Sequence, residues 1–283
     1  KQLHVLASPI RVSLCFLLVV TFIITTRIGV DADTLHVPSQ YTTIQKGIDA
    51  AVNGDTILVA NGTYTGEGNK NLDFGGKAIT VQSENGPEKT IIDCGGTGRG
   101  YYFHSGEHSS SVVRGFTIKN GLVLGNYPNT VSGGGIYCAD NSSPTITNNI
   151  ITNNRADRGG GIGCRNSSPI IINNTISQNS AKEVGGGIDC DENSFPVINN
   201  NLIKGNSVEG DGGIGGGVCV SDYDYSPDHI FTLAQNNITE NKADFGVGGG
   251  VGLEDGASGE GEAIGRKKAC RLDSPVERGG GGG

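Results

Sequence analysis

Residues 133–154 read GGGIYCADNSSPTITNNIITNN, residues 159–179 read GGGIGCRNSSPIIINNTISQN, and residues 185–206 read GGGIDCDENSFPVINNNLIKGN. Glycine triplets begin at 133, 159, 185, 215 and 248, at spacings of 26, 26, 30 and 33. Columns of like residues run through these units. The residue after each triplet is Ile136, Ile162, Ile188, Val218 and Val251, and two further on stand Cys138, Cys164, Cys190, Val220 and Leu253. A second apolar column is Ile146, Ile171, Ile198 and Leu233, and a third is Ile151, Ile176, Ile203 and Ile238. Between them fall Asn148, Asn173, Asn200 and Gln235, then Asn149, Asn174, Asn201 and Asn236. A last polar column is Asn154, Asn179, Asn206 and Asn241.

A period of this length marks a stacked-repeat architecture, because one unit cannot bury its apolar face alone. Short Ile/Val strands separated by Asn, Gly and Pro corners predict a coil of parallel strands, stacked about 4.8 Å apart. Each Ile column then becomes a continuous dry interior. Asn tolerates the left-handed backbone of a tight corner, and stacked Asn side chains can hydrogen-bond from rung to rung. The glycine triplets imply close backbone approach. The four and seven extra residues of the last two units are expected in turns.

Outward from the repeat, Asp55–Asn120 carries the irregular strands TILVA, AITVQ, TIID and VVRGFTI. Before them, Ile44, Ile48 and Val52 recur every four residues, with Thr42 or Thr43 as a start and Asn53-Gly54 as a stop. That pattern predicts an amphipathic helix plugging the open end of the first coil. Residues 33–54 form this cap, 55–253 the coils, and 254–283 a Gly-rich tail with almost no apolar residue, expected to be disordered. At the other end, Lys1, His4 and Arg11 precede the apolar run Leu14–Ile24, with Val30 and Ala32 before a cut ahead of Asp33. Residues 1–32 thus read as a secretory signal peptide, too short in its apolar run to span a bilayer. No second apolar run predicts a span in the mature chain, and the absent initiating Met suggests a trimmed or partial sequence.

The segment VPSQYTTIQKGIDAAVNGDTILVANGTY resembles the N-terminal entry of the right-handed β-helices of the pectate-lyase-like superfamily. GGGIYC, SSPTITNN and ITNN resemble a small repeat of bacterial surface proteins, and GGGI with ITNN, ISQN, IKGN and ITEN is similar to the polymorphic outer-membrane repeat. That last family carries Phe where Ile151, Ile176, Ile203 and Ile238 stand here. The resemblance implies an all-β chain: a single-stranded right-handed parallel β-helix (solenoid) with a short N-terminal capping helix. It leaves function open, since this fold carries lyases, hydrolases, esterases and adhesins.

The net charge of −8 and the lack of a basic stripe argue against a nucleic-acid partner. Three thiols at this spacing suggest a metal ladder, disulfides or packing; the slot is shared with Val220 and Leu253, which favours buried, small, apolar positions and leaves a disulfide between neighbouring rungs open. Cys219 stands one place earlier and should face the other way. In the insertion SDYDYSPD, Asp222, Asp224, Ser226 and Asp228 alternate like oxygen ligands of calcium, although Pro227 stands where a calcium loop needs Gly. Tyr223 and Tyr225 between them could contact sugar rings. Asp140, Arg165, Asp191 and Glu192 fall on successive rungs. Arg165 could act as the base of a calcium-assisted polyuronide lyase, or belong to a surface ion ladder. His104, Glu107 and His108 in FHSGEHSSS read as a solvated loop.

Three functional readings follow. The first is a secreted or cell-surface scaffold that performs no chemistry, contacting an extracellular polysaccharide or cell-surface glycan or acting as an adhesin-like module. The second is the calcium-dependent lyase centred on Arg165. The third is a spacer module of a longer surface protein.

Overall fold

A computed structural model describes residues 31–125, 131–191, 193–221 and 231–254. The fold concerns the described residues from Asp33 onward. Four parallel sheets build the stack: sheets A and B start in the early coils, sheet C begins at Tyr101 and sheet D at Leu122. Sheet A has eight strands, sheet B seven, sheet C six and sheet D five. In each regular coil the chain passes from a sheet C strand such as Ile136–Cys138 to sheet A (Thr145–Thr147), sheet B (Ile150–Thr152) and sheet D (Arg155–Arg158).

The registers reproduce the sequence columns. Ile146 pairs with Ile171 and Ile171 with Ile198; Ile151 pairs with Ile176 and Ile176 with Ile203. Ile136, Ile162, Ile188 and Val218 align in sheet C. All these residues are fully buried in one core. Full burial of an Ile is worth about 1.5–3 kcal/mol before the cost of ordering the chain.

Each Asn doublet divides two tasks between its members. Asn148, Asn173 and Asn200 are left-handed, as is Gln235. The following Asn turns inward: Asn174 Oδ1 accepts from the Asn149 backbone N–H at 3.0 Å and from Asn149 Nδ2 at 3.2 Å. Asn174 Nδ2 donates to Ile146 O and to Asn201 Oδ1. The same pattern runs through Asn154, Asn179, Asn206 and Asn241 at the next corner. A shorter ladder unforeseen from the repeat joins Ser142, Ser167 and Ser194, each Oγ accepting a backbone N–H from the rung before. Corner groups that would otherwise be buried unpaired are thereby satisfied.

At the entry end, helix α1 (Ile44–Ala50) is capped by Thr43, whose hydroxyl accepts from Lys46 N–H. Ile44 and Ile48 are buried, but Val52 is 49% exposed, because the helix stops at Ala50 and turns the third member of the expected stripe to water. The first strand, Thr34–Val37, has an unpaired edge that is blunted locally: His36 N–H donates to Gln40 Oε1 at 2.6 Å, and His36 O accepts from the Gln40 and Tyr41 N–H groups.

The expectation that every extra residue of the third unit, 185–214, lies in a turn is corrected. Val184 pairs with Ile214, whereas Ser180 pairs with Ser207, so three extra residues sit inside the sheet D strand Ser207–Ile214 as register shifts. A bulge is tolerated there because the buried column of sheet D is small, Ala156, Ala181 and Val208, and these residues lie outside the main apolar cluster. The signal-like segment through Val30 and the tail from Asp255 lie outside the described residues. Among those described, no helix is long and apolar enough to cross a membrane.

Candidate functional site

Side chains of sheet C alternate between core and exterior. Tyr101 and Phe103 point inward and are fully buried, so Tyr102 and His104 point outward. The next rung adds Tyr137 and Ala139, and the following ones Gly163 with Arg165, Asp189 with Asp191, and Cys219 with Ser221. Cys219 thus faces away from the Cys138–Cys164–Cys190 column, as its offset predicts. It is nonetheless fully buried, because the chain entering each glycine triplet folds back over this face. Glycine at 163 is required: a Cβ there would fall onto the Ser132 hydroxyl and the Gly133 amide.

On the first two rungs this face is aromatic and cationic. The Tyr102 and Tyr137 rings stack with centroids 5.4 Å apart and planes 8° apart. The Arg99 guanidinium carbon lies 4.9 Å from both centroids, a cation–π arrangement over a pair. His104 packs 4.0 Å from the Tyr102 ring, and its Nε2 is 3.3 Å from Asp73 Oδ2. Desolvation, opposed by the adjacent tyrosines, holds the Arg99 pKa below its ordinary value. Arg99 Nη1 is buried with no hydrogen-bond partner among the described residues. Burial pushes the Tyr137 hydroxyl up to about 12, with Arg165 the main opposing charge. Because the ring faces are taken by one another, by Arg99 and by His104, an incoming ligand meets ring edges, hydroxyls and charges.

Two rungs on, the face becomes ionic. Arg158, carried over sheet C by the fold-back, places Nε 3.3 Å from Asp189 Oδ2 and Nη1 3.2 Å from Asp191 Oδ2. The Asp189 side chain is 1% exposed, so this is an interior cluster, where losing one partner costs several kcal/mol, about 3–5. Arg165 is in register with Asp191. It is level with Ala139, one place beyond the Cys138–Cys164 pair, and not with Asp140. Asp140 is the extra residue of its corner, left-handed beside Asn141, which corrects the simple rung-by-rung sequence Asp140, Arg165, Asp191. The two aspartates belong to one charge cluster anchored by Arg158, a residue the repeat pattern did not single out, and Arg165 stands on the neighbouring rung in register with Asp191.

Glu107 is a second correction. It is fully buried, with Oε1 accepting from Gly76 N–H at 2.9 Å and Oε2 from Ser105 N–H at 3.0 Å. Desolvation raises its carboxyl, but these bonds and one from the Ser142 hydroxyl outweigh it, and the net pKa is lowered. The loop FHSGEHSSS is therefore built around an interior carboxylate, while His108 stays exposed. Asp222, Asp224, Asp228, Tyr223, Tyr225 and Glu192 lie outside the described residues. Among the described residues no group of three His, Cys, Asp or Glu side chains could hold a metal ion.

The Tyr102–Tyr137–Arg99–His104 cluster was missed from sequence because its members are split between the last irregular rung and the first regular one. The available signal was the alternation in YYFH, which puts Tyr102 and His104 on the face opposite Tyr101 and Phe103. No curated protein and no solved structure matches the chain. A family model described as "right handed beta helix region" matches residues 53–260. With the in-register parallel sheets, that match makes this chain a member of the right-handed β-helix family.

Proposed function

We propose that this β-helix is an exported scaffold that contacts an extended extracellular glycan and performs no chemistry on it. The observation that carries the reading is the outer face of sheet C, where Tyr102 and Tyr137 stack on successive rungs, Arg99 and His104 flank Tyr102 on the first of them, and Arg165 stands on the third. Tyrosine edges with hydroxyls, an imidazole oriented by Asp73 and a guanidinium supply hydrogen bonds to sugar hydroxyls or to acidic substituents. Rigid strands hold them, so little side-chain entropy is lost on binding. The signal-like N-terminus supports export, and the family resemblance supports a polymeric carbohydrate partner.

The test is a binding survey of the full chain against neutral and acidic polysaccharides, with Tyr102→Ala and Arg165→Ala compared with wild type. The expected result is retention of a polysaccharide by the wild type and at least tenfold weaker binding by Tyr102→Ala, with unchanged circular dichroism. The polysaccharides are also incubated with calcium, and unsaturated products are followed by absorbance. Product that vanishes in Arg165→Ala would overturn the scaffold reading in favour of the lyase. Failure to bind any glycan, with no product, would leave a spacer role and defeat the proposal.

A further inference from the structure

We propose that Cys138, Cys164 and Cys190 form a redox-active column in which one disulfide at a time staples neighbouring rungs and can pass along the stack by exchange. The three residues pair directly, Cys138 with Cys164 and Cys164 with Cys190. All point into the core and are 0–1% exposed. Adjacent rungs separate their Cα atoms by about 4.8 Å, inside the range of about 4.4–6.8 Å that a disulfide spans. Cys138 and Cys190 are two rungs apart, about twice that distance, beyond the limit of about 7 Å. The column is closed by Phe103 on one side and Val220 on the other. Three thiols in line permit either of two linkages, never both, and always leave one thiol over. Cys219 faces the opposite way on its strand and is excluded.

The chemistry balances with a disulfide oxidant such as oxidised glutathione. Two column thiols lose two protons and two electrons to form the S–S bond, and the oxidant's S–S bond is reduced to two thiols. Because the folded column is sealed from solvent, this step belongs to rung assembly, before the next coil closes over the thiols. Once a 138–164 bond exists, the Cys190 thiolate lies on the far side of the Cys164 sulfur. It attacks in line with the existing bond, forms 164–190 and expels the Cys138 thiolate, which takes up the proton that Cys190 gave. In the fully reduced column, hydrogen bonds from the thiols of Cys138 and Cys190 favour the Cys164 thiolate against the desolvation that opposes it, which makes Cys164 the column's first nucleophile toward an oxidant. Its two neighbours are pushed up, Cys138 chiefly by desolvation and Cys190 chiefly by its bond to Cys164. This device is independent of any glycan contact.

The test unfolds and reduces the full chain, refolds it in a glutathione redox buffer or in reductant alone, blocks free thiols, and maps linked peptides without reduction. The expected result in the redox buffer is a population with 138–164 and a population with 164–190, one column disulfide per molecule. The oxidised protein should also unfold at a higher guanidinium concentration than the reduced one. Cys138→Val should yield 164–190 alone, Cys190→Val 138–164 alone, and Cys164→Val no column disulfide. Valine suits this slot, since Val220 occupies it on the next rung. Column thiols recovered free from the redox buffer, linkage only to cysteines outside the column, or a 138–190 bond in Cys164→Val would overturn the proposal. The wild-type map decides by itself if a variant fails to fold.

Discussion

The regular coils from Gly133 to Ser221 stand on four sheets, whereas the irregular coils before Gly125 begin on sheets A and B and gain sheet C at Tyr101 and sheet D at Leu122, and the two regions close their corners by different means. In the regular part, Asn149 and Asn154 each receive and give hydrogen bonds to the rung on either side. One rung earlier the register places Phe116 and Gly121 at those positions, and each ladder ends there, with the Phe116 and Gly121 N–H groups donating to Asn149 and Asn154. Below that point Phe74, Tyr101, Phe103 and Phe116 fill the interior, and buried corner groups are met one by one by Glu107, Asn69 and Asp55. Ladders repeat one cross-rung bond at every step, whereas the early plugs join neighbouring coils singly, Glu107 to Gly76, Asn69 to Ile44 and Asp55 to Asp33, with no column behind them. Freed from the Asn pattern, the early coils also carry the aromatic and cationic outer face.

The contrast can be broken first at a glycine. In Gly160→Ala the new Cβ would overlap the carbonyl oxygens of Ser180 and Gly186, backbone atoms that cannot step aside. The expected outcome is a loss of at least about 5 kcal/mol, or no folded protein, read by chemical denaturation. Next, Asn179→Leu removes the acceptor for the Asn154 N–H and Nδ2 groups and the donor to Ile151 O, and should cost about 4 kcal/mol. Phe103→Leu, in the aromatic region, keeps an apolar filler and should cost only about 1.5 kcal/mol. Equal losses in these two variants would erase the proposed difference.

The acid response should sharpen it further. Glu107 titrates lower in the folded chain than its unfolded value of about 4.3, so its contribution is complete above roughly pH 5 and disappears as pH falls through the folded pKa. Glu107→Gln should be less stable than wild type at neutral pH and should flatten the fall in stability between about pH 5 and pH 3. Native-state hydrogen exchange should locate that fall in the early coils, since the Asn ladders do not titrate. Smallest of all, Val52→Ser on the exposed end of the cap should shift stability by no more than about 0.5 kcal/mol. A larger loss would mean that Val52 does plug the coil.

The Ile and Cys columns were readable because stacking identical coils forces side chains of the same order in the period onto the same line, so periodicity in the chain is already periodicity in space. The division of labour within each doublet followed only in part: within one unit both residues can be Asn, and only the substitution of the left-handed position by Gln178, Gly205, Gln235 and Glu240, against an unbroken Asn at the next, marks the ladder residue. Glu107 was misjudged because a carboxylate among Ser, Gly and His looks solvated until the amides of Gly76 and Ser105 are seen to converge on it.

What the amino-acid order fixed unaided was the period, the parallel stacking and the dry interior, since these arise from a local pattern repeated past the length one coil needs. What only the tertiary structure decided was the outside of sheet C. There the chain doubles back across its own strands, lays Arg158 on Asp189 and Asp191, seats Ser132 on Gly163 and brings Arg99 onto two tyrosines from different rungs. Those contacts join residues at unequal separations that no repeat specifies, and their positions are set by how the backbone turns at the glycine triplets.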